Sequence, residues 1–371
     1  MDKFLNEQFF PFWLSYGIDD IGGFQERLQL DLTPYRDENK KRVLVQFRQI
    51  FVFSKAFELT KDSKYIDAAK SAVAFVLDKY WDKDRGGFFH ALDLNLEVKH
   101  SNRNLYDHAF ALFSFGHFYN VTKDNGVRDW IYDIHEFIQS KFKAELGYFE
   151  SLNQDNVNIS TTREQNPHMH LLEGYLCLYE FFGEKKYLDC SRELVQLFSE
   201  KMVDSKNGGV VEFFTQDWNN FDPELGDKIE PGHCYEWAWL LGEFERLSSC
   251  SEYRQLTEKI YNFGFSFGQD TKFGGIFNEV SREGVVLDTN KRIWPETEAI
   301  KAHLAMYKLK GDDKYIQRAL VQFDFLKENR LNENGSWSEH LKQDLSDATD
   351  VYPSTTAYHL LMAMLELKKY E

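Results

Sequence analysis

The chain has 371 residues, a length that fits two average domains or one large one. Hydrophobic residues make up 43% of it and charged residues 28%, which is the balance of a folded globular protein and excludes disorder. The formal net charge is −16 and lysines and arginines form no cluster, which argues against nucleic acid and anionic membranes as partners. Aromatic residues, at 16%, can line a pocket in which sugar rings lie against flat apolar faces.

The N-terminal segment and the cysteines bear on the compartment. The segment MDKFLNEQFFPFW carries charge within its first seven residues and lacks the pattern of a signal peptide. No uninterrupted apolar stretch approaches the ~20 residues of a membrane-spanning helix. The four cysteines show no CxxC spacing. We therefore expect a soluble, cytoplasmic protein that is a monomer or a homodimer.

A glycine followed by an apolar or aromatic residue recurs six times, at intervals of 60 to 66 residues. Each copy lies in a polar stretch with short alternating runs, which are typical of small hairpins. The copies are GGF (22–24), GGFF (86–89), GYF (147–149), GGVV (208–211), GGIF (274–277) and GSW (335–337).

Between these copies the apolar residues have helical spacing. In chain order, the pattern predicts twelve helices, over residues 2–15, 43–59, 64–80, 105–120, 127–142, 167–182, 186–202, 232–247, 252–267, 296–309, 313–329 and 354–369. Segments such as LYDHAFALFSFGHFY are apolar on almost every face and predict buried inner helices, whereas KYIDAAKSAVAFVLDKY keeps a charged face and predicts an outer helix.

Six inner helices in alternation with six outer helices predict an all-α fold, a closed (α/α)6 barrel. The prediction is a single catalytic domain over residues 1–371, with short β-hairpin loops at one end. An open superhelix of helical pairs is the alternative.

Polar residues near the starts of the predicted inner helices recur at a fixed interval. Equivalent positions in a closed toroid face one axis, so these residues should converge on one central pocket. Each could separately be a capping acid or a satisfied buried polar group, but separate origins do not explain a constant interval. Five of them are 63 residues apart and a sixth precedes them by 59; in order they are Arg48, Asp107, His170, His233, Glu296 and His359.

Histidines, an arginine and carboxylates around a sugar-sized pocket favour proton transfer next to a carbonyl. Histidine, with an ordinary pKa near ~6.5, takes and returns protons at neutral pH. One histidine would remove the C2 proton of an open-chain aldose, and Arg48 would stabilise the enediolate. Return of the proton to C1 gives the ketose, and return to the opposite face of C2 gives the epimer. Glu236 lies three residues after His233, on the same helix face, and would orient that imidazole.

Other chemistries have weaker support in the sequence. HExxH, CxxC, EF-hand, GxxxxGK[ST] and GxGxxG patterns do not occur, so we predict no metal and no nucleotide cofactor. A glycoside hydrolase, the rival enzyme hypothesis, would use paired carboxylates. A non-catalytic carbohydrate-binding protein is a third hypothesis, and it predicts aromatic stacking without organised acid–base groups. The candidate carboxylates for a hydrolase are Asp107, Glu173, Glu236, Glu296 and Glu298.

Five segments resemble the N-acylglucosamine 2-epimerase superfamily, which includes cellobiose 2-epimerases, mannose isomerases and sulfoquinovose isomerases. These segments occur in the family's order and span almost the whole chain. They are FRQIFVFSKAF around Arg48, NPHMHLLEGY around His170, PGHCYEWAWLL around His233, RIWPETEAIKA around Glu296 and YPSTTAYHLL around His359.

The resemblance implies an (α/α)6 barrel with His233 and His359 as the catalytic pair. Arg48 would contact the substrate oxygens, His170 would assist ring opening or sugar binding, and Glu236 would support the histidines together with Glu298. The residues expected to bind or surround the sugar are Tyr106, Asp107, Asn166, Glu173, Trp237, Trp294, Glu296 and Glu298.

The segments RIWPETEAIKA and PSTTAYH are most similar to the mannose isomerase side of the superfamily. We therefore expect interconversion of mannose and fructose, with a small sugar as the only partner. The alternative is 2-epimerisation of N-acylglucosamine, of mannose and glucose, or of cellobiose.

Overall fold

The computed structural model describes residues 1–221 and 223–370, so Asp222 and Glu371 of the predicted 1–371 domain lie outside the described residues. Twelve long helical segments occur in this part of the chain, and each begins and ends within three residues of its predicted bounds, which confirms the helix prediction. The segments are α1 (Asp2–Phe4, Leu5–Phe9 and Phe10–Tyr16), α2 (Val43–Thr60), α3 (Ser63–Lys79), α4 (Leu105–Thr122), α5 (Asn125–Phe137, extended by Ile138–Phe142), α6 (Gln165–Phe182), α7 (Lys185–Leu197, extended by Phe198–Met202), α8 (Pro231–Ser248), α9 (Arg254–Gly268), α10 (Ile293–Lys310), α11 (Lys314–Asn329) and α12 (Thr356–Lys368).

The even-numbered helices form the inner ring. Each contacts the next even-numbered helix, and α12 returns to contact α2, so the ring is closed. At this seam the Gln49 side chain donates to the carbonyl oxygen of Ser354 at 2.7 Å. The inner helices are buried on most faces because neighbours cover both their sides, whereas the outer helices keep charged, exposed faces. The fold is the predicted (α/α)6 barrel.

Local sequence sets the turn between each inner helix and the outer helix that follows it. Inner helices end at a residue in the left-handed conformation, such as Lys61 or Gly183, whose N–H bonds the carbonyl four residues earlier. Asp62 and Asp124 then accept hydrogen bonds from the N–H groups of Lys64 and Gly126, which begin the outer helices. Among the described residues, no helix has the length and apolar character needed to cross a bilayer.

Short strands join the long loops at the N-terminal end of the inner helices. The strand before each inner helix pairs, antiparallel, with a strand of the following loop, and the last such strand, β14, pairs with β1 of the first loop. The strands are β1 (Arg27–Gln29), β2 (Lys41–Arg42), β3 (Ala91–Leu92), β4 (Val98–His100), β5 (Arg103–Asn104), β6 (Ser151–Leu152), β7 (Arg163–Glu164), β8 (Phe213–Phe214), β9 (Lys228–Ile229), β10 (Glu279–Ser281), β11 (Val286–Asp288), β12 (Lys291–Arg292), β13 (His340–Leu341) and β14 (Val351–Pro353).

The six glycine motifs form tight hairpins, as predicted. Each motif residue after the glycine bridges back to the end of the preceding outer helix, as Phe88 does to Trp81. Gly87 adopts φ +79°, and a Cβ at this position would lie 2.4 Å from the Phe137 ring. Glycine is therefore required here both by backbone conformation and by close packing.

We expect Gly87→Ala to lower the free energy of unfolding by about 2–4 kcal/mol, because it combines left-handed strain with overpacking against Phe137. Urea unfolding followed by circular dichroism measures this loss. The control is Gly183→Ala, which has φ +67° but no atom within 4 Å of the added Cβ, so it should lose only about 1 kcal/mol. Equal losses in the two variants would contradict the steric part of the argument.

Candidate active site

One residue of each inner helix contributes to a ring of side chains around the barrel axis. In the first five inner helices it is the sixth residue of the helix, counted from Val43, Leu105, Gln165, Pro231 and Ile293. In the last it is the sixth residue counted from Ser354, which directly follows β14. The members, which we call the axial ring, are Arg48, Phe110, His170, Glu236, Glu298 and His359.

Neighbours in the axial ring touch. The Arg48 guanidinium lies 4.3 Å from the centre of the Phe110 ring, which lies 4.6 Å from that of His170. His170 Nδ1 is 4.0 Å from Glu236 Oε1. Carboxylate oxygens of Glu236 and Glu298 lie within 4.8 Å of each other, and Glu298 bonds the His359 ring at 2.9 Å.

The predicted ring with a constant interval of 63 residues is therefore corrected. The loops differ in length, so equivalent helix positions are separated by 60 to 66 residues. His170 and His359 belong to the axial ring. Asp107 and His233, by contrast, are the third residues of their helices, and Glu296 is a fourth residue.

Four members of the axial ring, Arg48, His170, Glu236 and His359, line a cavity of about 360 Å³ at the loop end of the barrel. All five residues predicted as catalytic line it, and so do three of the eight predicted to bind the sugar, Tyr106, Asn166 and Trp294. A neighbouring cavity of about 520 Å³ shares Arg48, Tyr106, Asn166 and Thr355 with it. The lining residues of the first cavity are Arg48, Tyr106, Asn166, His170, Glu230, His233, Glu236, Arg292, Trp294, Glu339, His340, Pro353, Thr355, Thr356 and His359.

His233 is held by a carboxylate from the preceding loop. Its Nδ1 lies 3.0 and 2.9 Å from the two oxygens of Glu212. Burial opposes the positive charge of this imidazole, but the carboxylates of Glu212 and Glu230 outweigh burial and raise the pKa of His233 to about 9. Because Nδ1 is engaged, the free ring nitrogen of His233 is Nε2, and it carries a proton in neutral solution.

His359 has the opposite electrostatic environment. Its Nδ1 lies 2.9 Å from Glu298 Oε1, and Glu298 also forms an ion pair with Lys301. Burial, and then the charges of Arg48 and Lys301, lower the pKa of His359 well below its ordinary value. A neutral imidazole that donates its Nδ1–H to a carboxylate keeps a lone pair on Nε2. His359 is therefore prepared to accept a proton.

His170 and Tyr358 share a carboxylate below the cavity. His170 Nδ1 lies 3.1 Å from Glu173, and the Tyr358 hydroxyl donates to Glu173 at 2.5 Å. Burial lowers the pKa of His170 to about 4 although Glu173 opposes this effect. Glu173 itself lines a separate cavity of about 560 Å³ toward the other end of the barrel.

Arg48 is positioned from both sides of its helix, by Tyr106 of α4 and by Thr355, which directly precedes α12. Its Nη1 donates to the Thr355 carbonyl oxygen at 3.1 Å, and its Nη2 donates to the Tyr106 hydroxyl at 2.8 Å. Its Nε has no hydrogen-bond partner among residues 1–221 and 223–370. One N–H group of a buried guanidinium therefore remains free for an oxygen in the cavity.

Glu236 is a buried acid at the cavity wall. Both of its oxygens lack a hydrogen bond within the described part of the chain, and its side chain is 1% exposed. Burial and the neighbouring Glu298 raise the pKa of Glu236 well above its usual range. The protonated form, which is favoured here, can donate a hydrogen bond.

Five predicted sugar-binding residues do not line the cavity, and the structure corrects their placement. Asp107 bonds His90 at 2.8 Å, Trp237 stacks on Phe198 with ring centres 3.6 Å apart, and Glu296 bonds Arg330 at 2.7 Å. These three lie behind the wall, where each is engaged by a partner outside the axial ring. Glu173 and Glu298 lie beneath the cavity and reach it through the histidines that they bond.

Sequence reasoning missed Glu212, which holds His233. The sequence pattern that could have revealed Glu212 is the glycine motif, because the last residue of each of these hairpins is polar. Four of these six side chains accept from the backbone N–H that precedes the next inner helix, as Glu212 does from Glu230 at 3.2 Å. The six positions are Glu26, His90, Glu150, Glu212, Asn278 and Glu339. The prediction also missed Glu230, Arg292, Thr355 and Lys301.

Among the residues that the structure describes, donor atoms close enough to hold a cation occur in three combinations, each within 4.8 Å. Each combination includes a histidine, and in each the histidine Nδ1 already bonds a carboxylate: His170 with Glu173, His233 with Glu212, and His359 with Glu298. Histidine–carboxylate pairing therefore accounts for the proximity of these groups, and the absence of a metal cofactor stays a prediction.

The sequence and fold were compared with known proteins. The chain is 28% identical to a mannose-6-phosphate isomerase of Rhizobium meliloti (strain 1021), over 98% of this chain and 95% of the relative. It is 26% identical to a cellobiose 2-epimerase of Dictyoglomus turgidum, over 90% of this chain and 87% of the relative. A crystal structure of a D-mannose isomerase superposes with a TM-score of 0.92 at 24% identity, covering 100% of this chain and 98% of that one.

The model of the N-acylglucosamine 2-epimerase family matches residues 22–363, which include the axial ring and all three carboxylate-bound histidines of the cavity. The resemblance inferred from five sequence segments is thereby confirmed. The chain belongs to the N-acylglucosamine 2-epimerase family and is an isomerase or epimerase of sugars.

Proposed function

We propose that this protein interconverts mannose and fructose through an enediolate, with His359 as the base and His233 as the acid. The observation that carries the proposal is a pair of carboxylate-bound histidines whose pKa values are displaced in opposite directions. One imidazole accepts a proton and the other donates one at the same pH, which is how paired groups divide acid and base roles. The relative named mannose-6-phosphate isomerase supports the reaction, and a relative named D-mannose isomerase supports the choice of the free sugar.

The proton transfers balance. His359 Nε2 removes the C2 proton of the open-chain aldose, and the electron pair forms the C1–C2 double bond while His233 Nε2–H protonates O1. The resulting enediol then returns its O2 proton to His233, and the His359 imidazolium, whose N–H exchanges with solvent, delivers a proton to C1. The product is the ketose, and both histidines recover their starting states.

Donors at the cavity wall stabilise the charge that develops on O1 and O2. The free Arg48 Nε–H and the protonated carboxyl of Glu236 are fixed before the substrate enters, because both side chains are buried. Preoriented donors stabilise a developing charge more strongly in a site that excludes water than the same donors do in water.

The charges of the cavity favour a sugar without a phosphate group. Its two arginines are engaged, Arg48 with Tyr106 and Arg292 with Glu230 at 2.5 Å. Three lining carboxyl side chains, those of Glu230, Glu236 and Glu339, would repel or fail to bind a phosphate dianion. Phosphate recognition requires free, clustered cations or backbone N–H groups.

A second candidate, 2-epimerisation, is favoured by one specific observation. A protonated His233, carried on a different helix from His359, can supply a proton to the face of C2 opposite the base. The relative named cellobiose 2-epimerase supports this alternative. Isomerisation and epimerisation share one enediolate and differ in the carbon that receives the proton.

Proton NMR in D2O tests the reaction and the alternatives together. The protein is incubated separately with mannose, glucose, N-acetylglucosamine, N-acetylmannosamine and cellobiose. Fructose deuterated at C1 supports the proposal, and an aldose epimer deuterated at C2 supports the second candidate. Release of monosaccharide from cellobiose without exchange would favour a hydrolase instead.

We expect His359→Asn and His233→Asn each to reduce turnover at least ~10²-fold, because each removes a group that acid–base catalysis requires. The same NMR assay measures the loss, and circular dichroism verifies folding. The control is His117→Asn, since His117 lies outside the catalytic cavity and should leave turnover unchanged. Near-normal exchange in His359→Asn would overturn the assignment of the base.

We expect the activity to fall on the alkaline side near pH 9, where His233 loses its proton. In Glu212→Gln the carboxylate charge that raises the pKa of His233 is gone, so this fall should move to lower pH by about one unit or more. A pH–kcat/KM profile measures the shift. The control is Glu279→Gln, which changes a half-buried carboxylate paired with Lys228. If the alkaline limb of the profile stays at the same pH in Glu212→Gln, the acid role of His233 is refuted.

We expect kcat/KM for mannose to exceed that for mannose 6-phosphate by at least about tenfold, which corresponds to roughly 1.4 kcal/mol of transition-state stabilisation. The reason is the absence of unpaired cations among the described residues that line the cavity. Coupled fructose detection measures both rates. A preference for the phosphate ester would show that the arginines exchange their present partners for phosphate.

A further inference from the structure

Lys301 is a lysine in the middle of the barrel without access to solvent. It lies one turn after Glu298 on α10, and the side chains of both residues are 0% exposed. The Lys301 Nζ is 2.5 Å from Glu298 Oε2 and 4.1 Å from the centre of a ring of Trp239. A buried ammonium group is costly unless its charge is compensated, so its presence at the floor of the catalytic cavity calls for a physical explanation.

Four other inner helices direct charged or titratable groups toward the Lys301–Glu298 pair. Two of these groups are carboxyl groups, from helices next to one another in the ring, and none of them is a lysine among the described residues. The groups are Arg48 from α2, His170 and Glu173 from α6, His233 and Glu236 from α8, and Tyr358 and His359 from α12.

We propose that Lys301 is a positioning residue for the base, because its ammonium group keeps Glu298 ionised and so able to hold the Nδ1–H of His359. This inference rests on the proposed function, in which His359 Nε2 removes the substrate proton. A neutral Glu298 carboxyl group could donate to Nδ1 instead of accepting from it. The imidazole proton would then move to Nε2, and the lone pair would no longer face the sugar carbon.

The surroundings of Glu298 support this role. Burial raises the pKa of Glu298, and the charge of Lys301 is the largest influence that opposes burial. Burial likewise disfavours the charge of Lys301, but neighbouring carboxyl groups, that of Glu298 first, outweigh it and raise the pKa of Lys301. The pKa of Glu298 stays above its usual value because burial outweighs the charge of Lys301. Lys301 thus limits the tendency of burial to protonate Glu298, with Lys301 on one side of the carboxyl group and His359 on the other.

The test is Lys301→Met, which keeps the length of the side chain and removes its charge. We expect kcat to fall about 10- to 100-fold, a part of the 10²–10⁴-fold that a general base contributes, with little change in KM. Without the ammonium group both Glu298 and His359 gain protons more readily. The acid limb of the kcat profile should therefore move to higher pH by about one unit or more. Lys301→Arg keeps the charge and should restore most of both properties.

A double-mutant comparison separates positioning from folding. Glu298→Gln imitates the neutral acid, and in that background Lys301→Met should add little further loss of kcat, because the interaction is already gone. This double variant also leaves no unpaired buried charge, which protects folding. The matched control is Lys308→Met, since Lys308 lies seven residues later on α10 and pairs with Glu243 instead, at 3.1 Å.

Nitrogen-15 NMR of the histidines gives a readout that does not depend on turnover. We expect His359 to carry its proton on Nδ1 in the unaltered protein and to shift toward the Nε2–H form in Lys301→Met. An unchanged acid limb, an unchanged tautomer, or equal losses from Lys301→Met with and without Glu298 would overturn the inference. If His359→Asn is inactive in the same assays, such a result leaves the proposed function standing; if His359→Asn is active, the proposed function itself fails.

Discussion

The site depends on the closure of the inner helices into a ring. The sixth residue of an isolated inner helix would face solvent. Six such residues come together in the axial ring because each inner helix packs between two neighbours. The seam between α12 and α2 matters most, since Arg48 is oriented from one side by Tyr106 and from the other by Thr355. The strand pair β1–β14 and the bond from Gln49 to Ser354 hold this seam at the loop end.

Burial is common to His170, His233 and His359, and by itself it would make all of them neutral. Local charge makes the difference. His233 lies near the carboxylates of Glu212 and Glu230, whereas His359 lies near the cations of Arg48 and Lys301. The protein thus obtains an acid and a base from the same side chain by distributing fixed charges around one ring.

The fold could be predicted from the sequence because two periodicities agreed, the glycine motifs and the helical spacing of apolar residues. The histidines and Arg48 were also accessible, since each is a polar residue on an otherwise apolar inner helix. Glu212 was not, because its role depends on a hairpin that folds back over the start of the next helix. Asp107, Trp237 and Glu296 were misplaced for a related reason: unequal loops make sequence intervals an unreliable measure of helix position.

The carboxylate of each acid–base pair comes from a different element than the histidine that it holds. Glu212 belongs to the loop after α7 while His233 begins α8, and Glu298 and His359 lie on neighbouring inner helices. No single helical hairpin of this barrel is therefore a catalytic unit, although the hairpins are built alike. Turnover therefore requires the closed ring of inner helices. An opening limited to the α12–α2 seam would abolish activity while most of the helices stayed folded.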